Sequence, residues 1–75
     1  MNGTQSSAHY EIRVAGVLEA HWSAWFDGLE LTSDDQHGET VMAGPVADQA
    51  ALYGLLAKVR DLGLTLIAVH RIEPD

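Results

Sequence analysis

The strongest constraint on this chain is a helix with both of its ends written into the sequence. Asp48 offers a side-chain acceptor at the N-cap of a helix predicted from Gln49 to Leu62. Leu52, Leu55, Leu56, Val59 and Leu62 recur at i, i+3, i+4, i+7 and i+10 and form its apolar stripe. Lys58 and Arg60 lie toward its C-terminal end, where positive charge opposes the helix dipole. Gly63 is placed for a left-handed C′ cap, with Leu64 to make the accompanying apolar contact. Gly54 costs about 1 kcal/mol against alanine inside a helix, which points to a close approach or a ligand at that position. From Leu64 to Ile72 the chain is apolar on both sides, with Leu66 and Ala68 on one and Ile67 and Val69 on the other, and reads as a strand.

Upstream, residues 9–17 alternate. Tyr10, Ile12 and Val14 point one way, and Glu11, Arg13 and Ala15 the other, as in a half-buried strand. Leu18, Trp22, Trp25, Phe26 and Leu29 then fit one face of a short helix, stopped by Asp27-Gly28. Leu29 to Thr32 and Glu39 to Ala43 read as two strands of a hairpin around the polar turn Ser33–Gly38. Gly44-Pro45 breaks the second of them. The order β-α-β-β-α-β predicts an α+β, ferredoxin-like sandwich: a four-stranded antiparallel sheet, order 4-1-3-2, with two helices on one face. Residues 1–8 are expected to form a flexible tail and residues 9–75 a single domain.

At 75 residues such a domain buries only about 60% of its unfolded surface, so nearly every strong apolar residue is needed in the core. The absence of cysteine excludes disulfide staples, thiolate metal sites, iron–sulfur clusters and a Cys nucleophile. Eleven Asp and Glu against four Lys and Arg give a net charge of −7, which opposes binding to nucleic-acid phosphates. No apolar run reaches the length of a membrane span, and the polar start Met1–Ser7 lacks the pattern of a signal peptide. A cytoplasmic location is expected.

The second face of the predicted sheet needs a cover. Val41 and Ala43 face away from the helices, and one of the two apolar rows of the last strand, holding Ile67 and Val69, has no clear place in the core. No further chain is available to cover them, so a homodimer is expected, through sheet faces or through an edge strand.

The spacing of Trp22, Trp25 and Phe26 favours core packing. Two indoles exceed what one short stripe easily buries, however, so Trp22, Trp25, Tyr53 and Gly54 are the residues to watch as a ligand or partner surface, with Trp25 partly exposed beside Tyr53. His9, His21, His37 and His70 lack metal-ligand spacing, although the sheet order can bring His9 near His70. Asp34, Asp35 and Glu39 lack the alternating pattern of a calcium loop. His21 and Ser23, two apart on a helix, face away from each other and form no nucleophile–base pair. No metal or cofactor is expected.

Three stretches carry a family resemblance: Tyr10-Glu11-Ile12-Arg13-Val14, Trp22 to Leu29, and Gly44-Pro45-Val46-Ala47-Asp48-Gln49-Ala50-Ala51-Leu52 on through Leu64. Together they resemble a group of small, uncharacterised, stand-alone bacterial proteins, over roughly residues 9–72. The resemblance implies a bacterial intracellular protein and transfers no catalytic residue. The expected role is a non-enzymatic dimeric module that binds a protein or a small ligand. The alternative is a small cofactor-free enzyme of the dimeric α+β barrel type, monooxygenase- or isomerase-like, with a cavity of at least ~300 Å³.

Overall fold

The structure, a computed structural model, describes residues 8–72. Strands β1 (Ala8–Ala15), β2 (Glu30–Asp34), β3 (Glu39–Val46) and β4 (Leu66–Ile72) form one antiparallel sheet, ordered β2-β3-β1-β4. One helix, α1 (Gln49–Asp61), lies on one face and leans toward β3 rather than β4. Seven of the eight residues expected as a tail lie outside the described residues, and the eighth, Ala8, already pairs with Val46.

The alternation in β1 and β3 sets the core. Tyr10, Ile12 and Val14 of β1 stand opposite Gly44, Met42 and Thr40 of β3, and all six are buried. Leu52, Leu55 and Val59 close over them from α1. The Asp48 carboxylate accepts from the Ala51 N–H at 2.8 Å, so the N-cap forms where a short polar side chain can reach back. At the far end, Leu64 N–H reaches the Val59 carbonyl at 3.1 Å and Gly63 N–H reaches Arg60 at 2.9 Å. These are the two bonds of a Schellman cap, which requires the positive φ of 74° at Gly63.

The ferredoxin-like sandwich with two helices on one face is corrected, among the described residues, to a sheet with one α-helix. Between β1 and β2 the chain makes only a 3₁₀ turn, Ala20–Ala24. The stripe from Leu18 to Leu29 runs into Asp27-Gly28, and a segment this short does not sustain an α-helix without caps and strong packing. Glu19, at its N-cap, makes no side-chain capping bond. The Ser23 hydroxyl instead donates to the Leu29 carbonyl at 2.6 Å, and Gly28 N–H reaches Ser23 at 2.9 Å, folding the segment back on itself. Asp27 takes a φ of 58°, beyond which no helix continues. With about three residues per turn the i, i+4 stripe loses its common face, so that Trp22 is half-buried and Trp25 is exposed. Only Phe26 and Leu29 of the expected stripe are buried in the core.

Gly44-Pro45 does not break its strand either. β3 runs on to Val46, with Gly44 opposite Tyr10 and Pro45 opposite His9. The pairing with β2 ends at Ala43, so β3 is an edge at Pro45, a position that tolerates the missing N–H. Gly44 also makes room for a neighbour: a Cβ there would stand 2.8 Å from Leu29 Cδ2.

Thr40 is the one buried polar residue among the described residues. Its hydroxyl donates to the Gly16 carbonyl at 2.7 Å and accepts from Leu18 N–H at 2.9 Å. Thr40 thus satisfies both backbone groups where the chain leaves β1, and pins the crossover to the sheet.

Candidate interaction surface

Opposed residues in an antiparallel pair share a face, so the register assigns every strand residue to one side. Glu30, Thr32 and Asp34 of β2, Glu39, Val41, Ala43 and Pro45 of β3, and His9, Glu11, Arg13 and Ala15 of β1 lie on the face opposite α1. Ala68, His70 and Ile72 of β4 join them. Val41 and Ala43 are therefore neighbours on the uncovered face, half-buried among longer side chains. Val69 stands opposite Ile12 and belongs to the other face, the one that carries α1. Arg13 pairs with Ala68 and Val14 with Leu66, which leaves Ile67 as the extra residue of a bulge. The four residues expected to make one dimer surface are thus divided between two faces and a bulge.

What unites the apolar surface is the β4 edge. Leu66 and Ile67 are each 45% exposed, Val69 36% and Ile72 39%. The sequence places these residues in a strand with no clear core side, and the structure shows the cause. β4 is the outer strand, and its helix-face residues Leu66 and Val69 stay partly exposed beside α1. The two edges of the sheet are unlike. β2 is five residues long and carries Glu30 and Asp34, a short acidic edge of the kind that resists pairing. β4 is seven residues long and carries no carboxylate.

Polar groups on the uncovered face are largely tied to one another. The Arg13 guanidinium meets Glu39 at 2.8 Å and Asp34 at 3.7 Å. The Asp34 carboxylate also accepts from His37 Nδ1 at 2.9 Å and lies 3.3 Å from the His37 backbone N–H. The His37 hydrogen bond is the main cause that holds the Asp34 carboxyl below its ordinary pKa. His9 and His70 flank Glu11, His70 directly opposite it. Among the described residues, no group of three or more His, Asp or Glu is placed to hold a metal ion.

The aromatic residues of the expected surface differ in exposure and in partners. Trp25 is 44% exposed, and Tyr53 is 65% exposed on α1. Lys58 holds Trp25: its Nζ lies 5.5 Å from the ring centroid, donates to the Trp25 carbonyl at 2.9 Å and meets Asp27 at 3.1 Å. Trp22 is half-buried, with the His21 ring tilted against it at 5.5 Å. A Cβ on Gly54 would meet nothing within 4 Å, so no close approach explains that glycine. Sequence reasoning missed Lys58 as the clamp. The only available signal was its place one turn after Gly54 on the exposed flank of the helix.

Residues 9–70 match one family, described as a domain of unknown function (DUF8691). No curated protein and no solved structure matches the chain.

Proposed function

We propose that this chain, which belongs to the DUF8691 family, is a non-enzymatic module that acts by assembling, first of all with a second copy of itself. The observation that carries the reading is the β4 edge: a seven-residue outer strand with four large apolar side chains more than a third exposed and no carboxylate. An edge of this kind is a ready template for another strand. The polar groups give no support to a catalytic reading. Ser23 is spent on the Leu29 carbonyl, Arg13 on Glu39 and Asp34, and His37 on Asp34. The resemblance to small bacterial proteins supports a bacterial cytoplasmic setting. Among the described residues no helix is long and apolar enough to cross a membrane.

Light scattering during gel filtration tests the reading. At a protein concentration of about 100 µM, where an interface with a Kd of ten micromolar or below is mostly filled, a mass near twice 8.1 kDa is expected. A mass of 8.1 kDa under the same conditions overturns it.

A further inference from the structure

Resting on that reading, the geometry points to one specific interface: β4 pairs antiparallel with β4 of a second copy, across a two-fold axis at Val69, making a continuous eight-stranded sheet. Charge selects the edge. Two chains of net charge −7 repel, and β2–β2 pairing would bring Glu30 and Asp34 of both copies together. The segment from Leu62 to Ile72 holds no Asp or Glu, and its only formal charge is Arg71. A basic partner would be drawn to the carboxylates of β2 and its turn instead. The occupant that suits an apolar, acid-free strand on this chain is another such strand, and β4 itself is one.

Parity then limits the register. Opposed residues share a face, so a two-fold that keeps both helices on one side must set a residue opposite its own copy. An axis at Val69 stacks two β-branched side chains on the helix face and sets Ala68 opposite the partner's His70. It also sets Ile67 opposite the partner's Arg71. No like charges face each other. An axis at His70 would oppose the two imidazoles and is disfavoured wherever they are protonated. The bulge at Ile67 marks the end of the regular ladder on β1 and limits how far the new pairing extends.

Because the chain has no cysteine, single-cysteine variants report this geometry without background. Val69→Cys removes little from the core, since Val69 is already 36% exposed. Across the axis its copies would lie about 5 Å apart at Cα, within disulfide range. Copies of His70→Cys would be displaced along the strands to about 8 Å, beyond that range. Val41→Cys reports stacking of the uncovered faces. Under mild oxidation, Val69→Cys is expected to run as a covalent dimer on a non-reducing gel, while His70→Cys and Val41→Cys stay at monomer mass. Cross-linking of His70→Cys in place of Val69→Cys overturns the register. Cross-linking of Val41→Cys alone, or a dimer by light scattering in which no variant cross-links, overturns the β4 interface and leaves self-association standing. A monomer by light scattering overturns both.

Discussion

Thr40 shows how much a single hydroxyl can decide in a chain this small. It satisfies the Gly16 carbonyl and the Leu18 N–H together, with the side chain fully buried. Thr40→Val keeps the shape and leaves both groups without this partner, so a loss of about 1–3 kcal/mol is expected in urea denaturation. Thr40→Ser should recover most of it, and an unchanged midpoint for Thr40→Val would contradict the pinning role. Asp34 makes a different prediction. Its folded pKa is lowered, chiefly by the His37 hydrogen bond, so its stabilising effect is present above its unfolded pKa and is lost as pH falls through the folded one. Stability should therefore decline below about pH 4, and Asp34→Asn should flatten that part of the profile. An Asp34→Asn profile that parallels the parent's there would rule out the contribution.

At the scale of elements, the helix was legible and the aromatic segment was not. Asp48, the leucine stripe and Gly63 act within one turn of their own positions, so local sequence contains the whole argument for α1. The segment from Leu18 to Leu29 carries an equally good i, i+4 pattern, but Glu19 makes no side-chain cap, Ser23 spends its hydroxyl on closing a turn, and Asp27 turns to a positive φ. The reading of Gly44-Pro45 as a strand break failed for a related reason. The rule for proline in a strand depends on whether a neighbour lies alongside, and sequence alone does not show where β2 stops. Likewise the apolar residues of β4 were visible as an excess, but their division between two faces and a bulge depends on the register with β1. Lys58→Ala removes the ammonium from the Trp25 ring and carbonyl, so acrylamide should quench tryptophan fluorescence more strongly. The stability loss should stay below about 1 kcal/mol, as for other exposed ionic contacts. Unchanged quenching would mean that Lys58 does not hold the segment.

At the scale of the whole molecule, the two sheet edges are out of balance. Helix α1 covers Ile12, Val14 and Met42 and leaves the β4 side chains partly exposed, while β2, short and acidic, is the poorer template for a second strand. Amide hydrogen exchange of β4 as a function of protein concentration tests this most directly. Along an edge strand, N–H groups alternate between the neighbouring strand and solvent. If β4 is the interface, the outward amides between Leu66 and Ile72 gain protection as concentration rises through the association range, while the outward amides of Glu30–Asp34 do not change. Exchange of the outward β4 amides at one rate across all concentrations, in a protein whose mass doubles, would contradict it.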